Sequence, residues 1–125
     1  IRANGGEAVF VRHDVTDEAA WQQAVQTAVS QFGGLNILIN NAGTGARFTV
    51  EETSTEVWDA QMDVHAKGAF LGAKYAIPEM RKAGGGVILN VSSIYGLVGS
   101  PASTAGATWT TVISAPTLPS VSGRA

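Results

Sequence analysis

Leu35-Asn36-Ile37-Leu38-Ile39-Asn40-Asn41-Ala42-Gly43 decides how the rest of the chain is read. Ile37, Leu38 and Ile39 are apolar on both faces of a strand. That is the pattern of a buried strand in a parallel sheet. It ends abruptly at Asn40-Asn41-Ala42-Gly43-Thr44-Gly45, a loop of small and amide residues. In an open parallel sheet, ligands lie in the crevice at the carboxyl ends of the strands. A loop of this composition there lets the backbone come close to a flat ligand, although the tetrapeptide alone is equally an ordinary Asn/Gly turn.

Working outward, a second apolar run, Ala8-Val9-Phe10-Val11, leads into His13-Asp14-Val15-Thr16-Asp17 and is expected to form a strand near 8–13. Thr16 can cap a helix, with Asp17 and Glu18 in its positively polarised first turn. Trp21, Val25, Ala28, Val29 and Phe32 recur at helical spacing and place a helix near 17–32, stopped by Gly33-Gly34. Downstream, Thr53-Ser54-Thr55-Glu56 fits a capping box. Val57, Trp58, Met62, Ala66, Ala69, Phe70, Ala73 and Ile77 then predict a long helix near 54–83, with Pro78 as its expected kink. After Gly84-Gly85-Gly86 comes a third apolar run, giving strands near 36–40 and 86–92. Strand, helix, strand, helix, strand implies α/β layering around a parallel sheet.

Composition narrows the function. The 125 residues are 45% hydrophobic and 14% charged, with a formal charge of −2. The balance is acidic and no basic stripe is present, which argues against a nucleic-acid module. Without cysteine there is no disulfide, thiolate metal site or cysteine nucleophile in these residues. His13 and His65 lack any ligand-like spacing, so no metal is expected. The uncharged stretch from Ala83 to Gly123 is broken throughout by Gly, Ser, Thr, Pro and Asn and is not a membrane span. A start at Ile1 with no signal pattern suggests a fragment, and a cytoplasmic location is expected. From Pro101 onward Ser, Thr, Pro, Ala and Gly dominate, and an irregular tail is expected.

Three polar clusters end the three strands: Asp14-Val15, Asn40 to Gly43, and Asn90-Val91-Ser92-Ser93. Together with Lys67-Gly68-Ala69-Phe70-Leu71-Gly72, in this order and spacing, they make the sequence resemble the short-chain dehydrogenase/reductase family over residues 1–105. The resemblance implies a partial Rossmann-type three-layer fold that holds NAD or NADP. It implies that Asp14 and Val15 contact the adenine and that Asn40, Asn41, Ala42 and Gly43 line the adenosine-ribose side of the cleft. Ser93 would donate a hydrogen bond to the substrate oxygen, where hydride addition to a carbonyl builds negative charge.

The departures from the family pattern matter as much. No Gly-x-x-x-Gly-x-Gly precedes Asp14, so the turn that seats a pyrophosphate on a helix N-terminus is missing from these residues, and with it the flanking strands. The family's Tyr-x-x-x-Lys pair falls at Gly106 and Thr110, which supply neither group. Ser103-Thr104-Ala105 is a typical lead-in to that Tyr, and a reading-frame change there would explain both the lost motif and the altered composition beyond it. Tyr95 follows Ser93 too closely to take over as the acid. His65 stands where the family usually has an Asn that supports a proton-relaying water. Imidazole can also donate and accept, so His65 is a relay candidate, against a polar residue merely tolerated beside the cleft.

Two functions remain open at this point. One is the central part of a nicotinamide-dependent oxidoreductase acting on a secondary alcohol or ketone, with little or no turnover in this chain by itself. The other is a non-catalytic, degenerate relative or subunit-interaction fragment. Self-association through the helix near 54–83 is expected in either case, because its apolar face has little core to cover it.

Overall fold

The computed structural model describes residues 1–45 and 48–94. Tyr95, the positions of the missing Tyr and Lys, and the Ser/Thr/Pro-rich tail lie outside the described residues.

The chain forms α1 (Glu18–Phe32), β1 (Ile37–Asn40), α2 (Thr55–Met62), α3 (Gly68–Lys82) and β2 (Val87–Asn90), with a short 3-10 turn at Arg2–Asn4. Asp17, rather than Thr16, caps α1, its carboxylate accepting from Ala19 N at 2.8 Å and Ala20 N at 3.4 Å. Ser54 caps α2 by accepting from Val57 N. These side chains satisfy amides that have no partner inside their own helix.

β1 and β2 pair in parallel, with Ile37 opposite Val87 and Asn40 opposite Asn90. Val87 N donates to Asn36 O at 2.8 Å and Val91 N to Asn40 O at 2.9 Å, one at each end of the ladder. A parallel pair needs a crossover, here supplied by α2 and α3. The α/β architecture around a parallel sheet is therefore as the sequence implies.

Two expected elements differ. The run 8–13 carries no strand: Val9 and Phe10 are exposed, and no described strand lies beside them. A strand is a hydrogen-bonded partnership, and β-branched composition without a neighbour does not make one. The long helix is interrupted at Asp63–Lys67, which widens into a π turn, while Pro78 lies inside α3 without ending it.

The core is small and lies between α1 and α3. It holds Trp21, Val25, Leu71, Ala76 and Met80, with Gln61 buried beside it. Gly72 permits the closest approach there. A Cβ on it would sit 2.6 Å from Asn40 Oδ1 and 2.8 Å from the Trp21 ring, closer than atoms pack. Glu18 at the start of α1 ties to α3 by pairing with Lys74 and accepting from Tyr75 Oη at 2.8 Å. Leu38 and Ile88 are half-buried, whereas Ile37, Ile39, Val87 and Leu89 are exposed. The described residues thus supply the sheet and cover one of its faces.

Candidate functional site

The parallel register puts two asparagines side by side at the carboxyl end of the sheet. Asn40 Nδ2 donates to Asn90 Oδ1 at 2.8 Å. This bond levels the two strand ends, so the loops that follow leave from one rim. Asn41, Ala42 and Gly43 are exposed on the first loop, and Ser92 and Ser93 on the second. Asn40 itself is half-buried, and its Oδ1 is enclosed without a hydrogen-bond partner against Gly72. Asn40 therefore acts as a brace beneath the rim, while Asn41 to Gly43 form its accessible edge.

Asp14 and Val15 reach the rim by a different route. Val15 packs on Gly68, whose missing side chain leaves the space: a Cβ there would meet Val15 Cγ2 at 3.1 Å. Gly68 and Gly72 are one turn apart on α3, so a single helix face seats Val15 at one point and Asn40 at the next. Trp21 fixes Val15 further, its Nε1 donating to Val15 O at 2.9 Å.

Asp14 is exposed, and its hydrogen bonds are local. Asp14 Oδ1 accepts from Thr16 N and Thr16 Oγ1, each at 2.9 Å. These bonds hold the carboxyl below the usual Asp range and keep it ionised. The result is a fixed negative acceptor that can take a hydrogen bond from an amino group. His13, next to it, lies edge-on to Trp21 with ring centroids 4.2 Å apart. Its Nε2 is buried without a partner, and burial lowers its pKa from 6.5 against the opposing pull of Asp14 and Asp17.

His65 lies on the π turn between α2 and α3, and its Nε2 meets both backbone polar atoms of Thr44. Thr44 N is 3.0 Å away and Thr44 O 2.8 Å. Gly43 is beside the same ring, at 3.9 Å from where its Cβ would stand. π turns of this kind are enriched at functional sites.

The structure brings part of the predicted set together. His65 meets the first loop at Thr44, with Gly43 beside it, while Asn41 to Gly43 and Ser93 leave the paired ends of β1 and β2 on adjoining loops. Val15 is seated against Gly68 and Trp21, and Asp14 precedes it in the chain with hydrogen bonds only to Thr16. Sequence reading gave no role at the rim to Trp21, Thr44 or Gly72, and took Thr16 for a helix cap rather than the partner of Asp14. The Asp14-x-Thr16 spacing is the one visible clue, since Asp commonly bonds a backbone amide two residues on. Among the described residues no His/Cys/Asp/Glu group could hold a metal, and no helix is long and apolar enough to cross a membrane.

Two parallel strands feeding one polar rim, with helices behind them, are the arrangement of an α/β fold of the Rossmann type. Comparison with known proteins makes this specific. The short chain dehydrogenase family model matches residues 1–108, and the chain belongs to that family. An "uncharacterized oxidoreductase" of Thermotoga maritima is 50% identical over 101 residues, covering 81% of this chain and 39% of that protein. Cyclopentanol dehydrogenase of Comamonas sp. is 46% identical over 105 residues, 84% of this chain and 42% of the relative. A crystal structure from Burkholderia xenovorans, described as a short-chain dehydrogenase/reductase, superposes with a TM-score of 0.79 at 33% identity, covering 85% of this chain and 42% of the other. The chain therefore spans about two-fifths of the length of these relatives.

Proposed function

We propose that these residues form the adenosine-facing part of an NAD(P)-dependent dehydrogenase for a secondary alcohol or ketone, with cyclic alcohols as the favoured class. The observation that carries this is the Asn40–Asn90 bond, which aligns the loops after both strands on one rim. The substrate class is suggested by cyclopentanol dehydrogenase and by the 2,5-dichloro-2,5-cyclohexadiene-1,4-diol dehydrogenase of Sphingobium indicum, which is 48% identical over 97 residues.

The residues fit half of the dinucleotide. Asp14 offers a fixed, exposed, ionised acceptor suited to an adenine amino group, and Val15 an apolar surface beside it. Asn41, Ala42 and Gly43 give an exposed edge of small side chains against which a ribose can lie. No glycine-rich strand-to-helix turn precedes Asp14, so the described residues provide no seat for a pyrophosphate. When bound, the nicotinamide supplies or accepts the hydride. Ser93 serves as the hydroxyl donor to the substrate oxygen, stabilising charge that develops there.

In this chain alone turnover is negligible, because Gly106 and Thr110 stand where the family has its Tyr and Lys. General acid–base help is worth about 10²–10⁴-fold. Titration calorimetry with NADH and NADPH is expected to show weak binding that Asp14→Ala and Asn41→Ala weaken further. Heat signals absent for both dinucleotides would defeat the reading, and steady oxidation of cyclopentanol by the purified chain would defeat the claim of negligible turnover.

A second reading, a self-associating fragment, is favoured by the exposure of Phe70 on α3 and of Ile37, Ile39, Val87 and Leu89 on the sheet. The two readings are compatible, and a cytoplasmic setting is proposed for both.

A further inference from the structure

We infer that His65 is a positioning residue that makes the shape of the rim at Gly43–Thr44 depend on protonation. The inference rests on the reading of that rim as a dinucleotide edge only for its functional consequence, not for the switch itself.

The argument starts from one nitrogen with two partners. Thr44 N–H can donate to His65 Nε2 only if that nitrogen carries no proton, and Thr44 C=O can accept from it only if it does. At 3.0 and 2.8 Å both partners are in range, so the two bonds are alternatives. An Asn or Gln side chain escapes this choice, because its amide carries a separate donor and acceptor and can satisfy both backbone atoms at once. Imidazole is also the side chain that ordinarily changes charge between about pH 5 and 8. Neutral His65 can therefore hold the Thr44 amide. Cationic His65 can only donate, so its Nε2 holds the carbonyl and the amide must find water.

The setting allows this exchange. His65 is part-buried on a π turn, and Thr44 is exposed. Charged groups on the elements around it are Glu56 and Asp59 on α2, Asp63 and Lys67 on the turn itself, Lys74, Glu79, Arg81 and Lys82 on α3, and Asp14, Asp17 and Glu18 around Val15. Asp63 and Lys67 pair with each other at 3.4 Å and Lys74 pairs with Glu18. Among the described residues no ion pair involves His65.

The test is a pH titration of the chain from pH 5 to 8, following the Thr44 amide and the His65 ring by NMR in the wild type, His65→Gln and His65→Asn. The Thr44 amide shift should move with the same midpoint as the ring, and that excursion should vanish in His65→Gln, which places an amide near the position of Nε2. NADH affinity should change by about two- to tenfold across the same range, the worth of one hydrogen bond, and stay level in His65→Gln. A Thr44 amide that stays fixed while the ring titrates overturns the inference, as does an excursion that persists in both variants. If His65→Gln does not fold, His65→Asn and the wild-type titration still decide. If Thr44 follows the ring but NADH binds at no pH, the switch stands and the dinucleotide reading of the rim falls.

Discussion

The two faces of the β1–β2 sheet are built from the same four-residue strands and have opposite fates. On one, Leu38 and Ile88 are half-buried on the side where α3 packs, and Trp21, Leu71, Ala76 and Met80 make the core between α3 and α1. On the other, Ile37, Ile39, Val87 and Leu89 are exposed to between 53% and 63%. The residue types are nearly interchangeable. What differs is whether a helix lies opposite, so burial here follows from the partner and not from the intrinsic preference of the side chain. Stability and site geometry both belong to the covered face, while the bare face is the surface proposed for association.

The sharpest way to break the covered side is Trp21→Ala. Trp21 is 7% exposed, bonds Val15 O, edges onto His13 and touches the position that Gly72 leaves open. Removing a buried Trp costs about 3–5 kcal/mol. In so small a core that is a large fraction of the total, and urea denaturation should show loss of the cooperative transition. A shift in midpoint of a few tenths of a molar would mean that the core lies elsewhere.

The bare face should respond in the opposite way. Ile39→Thr with Leu89→Thr puts a β-branched strand former at both positions and removes exposed apolar surface. Changes at exposed positions away from special features are usually within about 0.5 kcal/mol each. The stability of the monomer should barely move, while self-association measured by light scattering or sedimentation falls. If the double variant instead unfolds, the two faces are equally structural and the contrast is lost.

Much of this contrast was legible in the sequence, and the reasons are physical. Trp21, Val25, Val29 and Phe32 at helical spacing mark α1, and the Ile37-Leu38-Ile39 run marks β1, because periodicity and an uninterrupted apolar run are local signals. The rim was legible through Asn40 to Gly43, since an amide- and glycine-rich loop ending an apolar strand can be seen without knowing its neighbours. Val9 and Phe10 misled because strand formation depends on a neighbour that their own composition does not report. Pro78, read as a kink, stands exposed inside α3, which runs on to Lys82. The π turn at Asp63–Lys67 was hidden, for its sequence continues the helical pattern across a change in hydrogen bonding. The His65–Thr44 contact joins distant parts of the chain and becomes visible only once α3 and β1 are docked.

His13 gives the smallest effect and the finest test of where the covered region ends. Its ring belongs to the packed side through Trp21, yet its neighbours Arg12 and Asp14 are exposed. Burial lowers the folded pKa below 6.5, the value expected when the chain is unfolded. Between those two values the unfolded chain binds more protons than the folded one, so folding stability must fall as pH is lowered through this window. Above about 6.5 both states are neutral at this residue and its contribution is flat. Below the folded value both are charged and the loss is complete. His13→Gln removes the titration, so the difference in unfolding free energy between the two proteins should bend just below pH 6.5 and be level above it. A difference independent of pH would mean that water reaches Nε2 freely, and that the packed region stops at Trp21 instead of extending to the segment beside Asp14.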